Sequence, residues 1–79
     1  QVVPAEEIAQ FVQNHANQIC DTTSSQALAK VKEMMRAIPA MSRDKALDYA
    51  AKQNAQARGS EDCRKGIDAF LNKQPLKWR

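Results

Sequence analysis

The chain has 79 residues with a net charge of +3, of which 43% are hydrophobic and 27% charged, values that belong to one small globular domain. No apolar run approaches the roughly 18 residues of a membrane span, and no basic stretch followed by an apolar core marks a secretory leader. A domain this small buries only roughly 60 to 65% of its unfolded surface, so its stability margin is thin and a partner surface would add to it.

The periodicity predicts an all-α fold, a small bundle of three to four helices in a single domain over residues 1–79, with helices at 4–20, 24–38, 43–58 and 61–73. Pro4 suits the first helical position, and Glu6 and Glu7 suit the first turn, where the helix dipole favours carboxylates. Ile8, Phe11, Val12, His15 and Ile19 follow on one side, and the helix is expected to end near Cys20. Residues 21–25 form a polar break, within which Thr23 and Gln26 have the spacing of a capping box for the second helix. That helix presents Leu28, Val31, Met35 and Ile38, and it stops before Pro39.

Ser42 is the expected cap of the third helix, whose stripe of Ala46, Leu47, Ala50, Ala51 and Ala57 buries little apolar area. Its Ala, Lys, Gln and Arg content keeps it helical regardless. A small Ala face fits packing inside the chain's own bundle and packing against another subunit or domain equally well. Gly59 is read as a left-handed helix stop and Ser60 as the cap of the next helix. In that last helix Glu61 and Asp62 occupy the first turn, Cys63, Ile67, Phe70 and Leu71 share a face, Lys73 falls at the far end, and Pro75 prevents continuation.

Residues that could carry chemistry are few. Cys20 and Cys63 form no Cys-x-x-Cys pair, which argues for reduced thiols rather than zinc or a disulfide framework, and His15 has no acid or thiol at ligand spacing. Residues 1–40 carry a net charge of −1 and residues 41–79 a net charge of +4. The basic residues of the second half are interleaved with acids and lack an aromatic motif, which argues against nucleic acid.

The stretch from Ser60 to Pro75 resembles the carboxy-terminal signature of the enoyl-CoA hydratase/isomerase (crotonase) superfamily, with Ser60, Glu61, Asp62, Gly66, Ala69, Phe70, Leu71, Lys73 and Pro75 matching. Two weaker likenesses run in the same order: Gln1 to Ile8 resembles the Pro-led entry into an acidic helix start, and Ala27, Leu28, Ala29 and Lys30 resemble the following helix. The resemblance implies the carboxy-terminal helical region of a crotonase-like fold, a fragment from an acyl-CoA enzyme, a lyase or isomerase of fatty acid metabolism, that supplies oligomerisation helices of a trimer and a lid over the acyl-CoA site and is inactive alone. It implies no catalytic residue here, so Glu6, Glu7, Glu33 and Glu61 are helix-start or solvent-facing charges.

On this resemblance Lys73 is the one candidate ligand, reaching a CoA phosphate, whereas Asn54 replaces the aromatic that the family often places near adenine. No cofactor is implied in the fragment and no metal site, and acyl-CoA is the substrate of the parent enzyme. The implied partners are a second copy or the amino-terminal crotonase core, with CoA thioester bound in the full-length protein, no nucleic acid and no membrane, in the cytoplasm. The start at Gln1, without a Met, is expected of a processed or excised piece. The alternative reading is a free-standing helical protein-interaction module.

Overall fold

A computed structural model describes residues 1–79, and all of its regular structure is helical. Four α-helices, α1 (Ile8–Thr22), α2 (Ser25–Ala37), α3 (Arg43–Arg58) and α4 (Glu61–Leu71), follow one another in chain order. A single 3-10 turn, Ala5–Glu7, leads into α1, and a second, Ile38–Ala40, follows α2. The all-α small bundle is the fold, opened into a thin array.

Pro4 sits outside the first turn in extended backbone, and its carbonyl accepts from the Glu7 amide at 3.0 Å. Glu6 and Glu7 lie in that 3-10 turn, ahead of α1 proper. Along α1, amide side chains pair across one turn, Gln10 with Asn14 at 2.8 Å and Gln13 with Asn17 at 3.2 Å. The helix runs two residues past the expected Cys20, to Thr22, whose hydroxyl donates to the Gln18 carbonyl at 2.7 Å. Such back-bonding gives a second donor to a carbonyl at i−4 that is already part of the helical ladder. Chain direction changes at Thr23, which is extended.

The expected Thr23 capping box is corrected by one residue. Ser24 caps α2, its hydroxyl oxygen accepting from the Ala27 amide at 3.1 Å. The Ser24 hydroxyl also donates to the carboxylate of Asp62 in α4, a tertiary contact that joins the two helix starts. α3 has the expected bounds and the expected cap, with Ser42 accepting from Lys45, Asp44 in the first turn and Arg58 in the last.

Gly59 is not left-handed, contrary to expectation: its φ is −83°, and its amide donates to the Ala55 and Gln56 carbonyls. The neighbouring hydroxyl makes a left-handed residue unnecessary. Ser60 Oγ donates to the Ala57 carbonyl at 2.7 Å and accepts from the Cys63 amide at 3.1 Å, so one side chain closes α3 and opens α4.

The left-handed residue lies instead at the end of α4. Lys73 has φ of 52°, its amide donating to Phe70 O at 3.2 Å while the Gln74 amide reaches back to Ala69 O at 2.9 Å. This bond pair is a Schellman motif, with Lys in the place usually held by Gly. It stops α4 at Leu71, two residues before the expected end and ahead of Pro75.

α2 packs on α3 and α3 on α4, while α1 makes its main contacts with its own leading turn. The tail returns along α4, with Trp78 over Gly66 and the Lys65 ammonium 5.6 Å from the Trp78 ring. Arg79 then reaches α1, with its Nε 2.5 Å from Asp21 Oδ1. A Cβ built on Gly66 would touch Trp78 at 3.6 Å, an ordinary contact, at negative φ. Gly66→Ala is therefore expected to stabilise the chain by about 0.5 kcal/mol through the restored helix propensity. A shift of the urea midpoint followed by circular dichroism measures it, and a loss of stability would mean that Trp78 packs more tightly on the helix than these distances indicate.

Candidate interaction surface

No hydrophobic side chain of this chain is buried, and Ser24, 7% exposed, is its single buried residue. The predicted stripes exist as faces, on which Phe11, Ile19, Leu28 and Ile38 are half-buried and the other large apolar side chains are open to solvent. Ile8 and Val12 on α1, Val31 and Met35 on α2, Leu47 on α3 and Ile67, Phe70 and Leu71 on α4 are all exposed, Phe70 to 83%. Exposed apolar residues scattered singly are normal, whereas here they occur on every helix with no buried apolar side chain beneath them.

Global dimensions agree. The radius of gyration is 16.4 Å, against about 11.6 Å for a compact chain of this length. The array measures 45 × 39 × 16 Å, far thinner along one direction than along the other two. Packed domains need at least two layers, because a helix stripe stays wet until a second element covers it.

Two of the grooves in this surface bear on a ligand or partner. The larger, about 460 Å³, lies where the start of α2, the end of α3 and the start of α4 meet, and it is lined among others by Ala27, Lys30, Asn54, Arg58, Cys63 and Trp78. At its edge the Ser24 hydroxyl has both functions satisfied, donating to Asp62 and accepting from Ala27. This pair fixes the relative placement of α2 and α4, and no histidine joins it to make a nucleophile. A smaller apolar groove of about 360 Å³ is formed by Val31, Met34, Met35, Ile38 and Pro39. Methionine suits such a surface because its unbranched thioether adapts to varied partners.

The residues singled out in sequence lie apart. Lys73 is exposed at the end of α4 and lines neither groove, while Asn54 lines the larger one. His15 stacks on Phe11, with ring centroids 6.2 Å apart. Cys20 is exposed and Cys63 partly so, both as free thiols. No three His, Cys, Asp or Glu side chains cluster as a metal site would need. The Asp21 carboxylate, mainly through its hydrogen bond, holds the Arg79 guanidinium above its ordinary pKa. Ser24 is the positioning residue that sequence reasoning passed over; its signal, a Ser immediately ahead of an apolar-periodic run, was masked by the Thr23–Gln26 spacing.

Comparison with protein-family models, curated proteins and solved structures finds no match to this chain. No helix is long and apolar enough to cross a membrane. What the arrangement offers chemically is area: open apolar faces carried on well-capped helices.

Proposed function

We propose that this chain is a helical assembly module, whose role is to dock its open apolar faces on another protein surface. One observation carries the reading: every helix bears large apolar side chains and none of them is buried. Three of the helices are held at their starts by hydroxyl caps rather than by a core, Ser24, Ser42 and Ser60 each accepting an amide three residues on. Local capping keeps helices formed while their faces remain free for a partner. In this reading the chain works in the cytoplasm, where Cys20 and Cys63 stay reduced.

Small-angle scattering with dye binding tests the proposal. Dilute chain is expected to show a radius of gyration near the 16.4 Å of the open array and to bind a hydrophobic dye. A dye-silent particle near 12 Å, the size of a compact chain of this length, would sink it.

A second reading refines the first and rests on the likeness of Ser60–Pro75 to crotonases. Its support is that Glu61–Leu71 of this stretch forms one continuous helix, capped at Ser60, acidic in its first turn and stopped before Pro75, as that likeness implies for a last helix. The module is then the oligomerisation and lid region of an acyl-CoA hydratase or isomerase, and the catalytic core is the surface that covers it. Lys73 meets a CoA phosphate in this reading. A Gly-rich oxyanion-hole segment encoded ahead of Gln1, together with hydration of an enoyl-CoA thioester by the protein that carries both, is the expected result. An unrelated domain or a start codon at that place would dismiss it.

A further inference from the structure

We infer that the partner covering the open faces is a second copy of this chain, stacked antiparallel so that the amino-terminal segment of each copy meets the carboxy-terminal half of the other. The inference rests on the assembly reading above and names its partner.

Area is the first argument. The chain exposes 6823 Å², whereas a compact monomer of its mass exposes about 4,800 Å². The excess, about 2,000 Å² per chain, amounts to about 4,000 Å² for a pair, within the range of obligate homodimers. One copy therefore has as much uncovered surface as a whole dimer interface needs.

Charge selects the copy and its direction. Residues 1–29 contain no Lys or Arg and carry Glu6, Glu7 and Asp21, of which Asp21 is already paired with Arg79 of its own chain, while residues 41–79 carry a net charge of +4. A two-fold axis makes every contact occur twice, so antiparallel stacking joins negative to positive at two places, and parallel stacking sets the positive halves against each other. The chain thus holds both halves of a complementary pair. Val12, Met35, Leu47, Ile67 and Phe70, all exposed in the single copy, supply apolar area for the contact.

Sedimentation velocity of the whole chain from 1 to 300 µM, with light scattering, is the test. The expected species has twice the 8.8 kDa chain mass and dissociates on dilution, more readily in 0.5 M salt than in 0.05 M. Phe70→Asp and, separately, Met35→Asp are each expected to raise the dissociation constant at least ~30-fold, the effect of losing one strong interface anchor. Circular dichroism verifies that each variant keeps its helices, and the unmodified chain's dilution curve stands whether or not they do. A monomer at every concentration that is open and binds dye overturns the homodimer and leaves the assembly module standing; a compact, dye-silent monomer overturns both. A trimer or larger species overturns the two-fold pairing, and a dimer indifferent to salt overturns its antiparallel direction.

Discussion

Ser24→Ala is expected to lower the unfolding free energy by about 2 kcal/mol, the sum of a lost helix cap and a lost hydrogen bond to a carboxylate. The residue is the least exposed of the chain, at 7%, and its one hydroxyl serves two elements: it caps α2 through the Ala27 amide and holds α4 through Asp62. Alanine leaves the Ala27 amide and the Asp62 carboxylate without that partner in a region partly closed to water, where replacement by solvent is incomplete. Few other contacts can compensate, because no apolar side chain is buried. Against the roughly 5 kcal/mol at the low end of natural domain stabilities, the loss is large.

Urea titration at fixed protein concentration measures it, and two companion variants separate its parts. Ser24→Thr retains the hydroxyl and is expected to change stability by less than about 0.5 kcal/mol. Asp62→Asn retains an acceptor without the charge, keeps the cap intact and is expected to fall between the other two. If Ser24→Ala behaved like an exposed substitution, within about 0.5 kcal/mol, the junction of α2 and α4 would not be what fixes the layer.

The same residue shows where sequence reasoning stops. The caps at Ser42 and Ser60, the limits of α3 and the all-helical class were legible because each depends on residues within one or two turns. Ser24 as the cap had a local signal that the Thr23–Gln26 spacing masked, but its hydrogen bond to Asp62, 38 residues away, is contained in no local spacing. Gly59 illustrates the converse. A Gly before a cap reads as a left-handed stop, yet the Ser60 hydroxyl bonds the Ala57 carbonyl and lets the backbone remain right-handed. The candidate surface was half legible: periodicity identified Val31, Met35 and Ile67 as members of apolar faces, but a period states which side of a helix is apolar and not whether anything covers it.

Lys73→Gly is expected to stabilise the chain by about 1 kcal/mol, because a side chain held in the left-handed region pays a steric cost that glycine does not. The cost is partly offset by the wider freedom of glycine in the unfolded chain. Both amide bonds of the stop, Lys73 to Phe70 and Gln74 to Ala69, involve backbone alone and survive the change. Lys73→Val, whose branched Cβ is least tolerant of φ near 52°, is expected to destabilise by a similar amount. Equal stabilities for Gly, Lys and Val at this position, compared by urea midpoint, would mean that the α4 stop is not held in solution.

The substitution also separates a structural lysine from a ligand-binding one. A lysine whose only task is to end α4 is dispensable, and Lys73→Gly gains stability at no cost. A lysine that meets a CoA phosphate, as the crotonase-like reading requires, carries a charge that glycine cannot supply. In a protein that joins this chain to an acyl-CoA core, Lys73→Gly would then raise the midpoint of unfolding while weakening thioester binding. The backbone strain at this position acquires a functional reason only if the two effects appear together, since strain of this kind persists where the side chain it presents is needed.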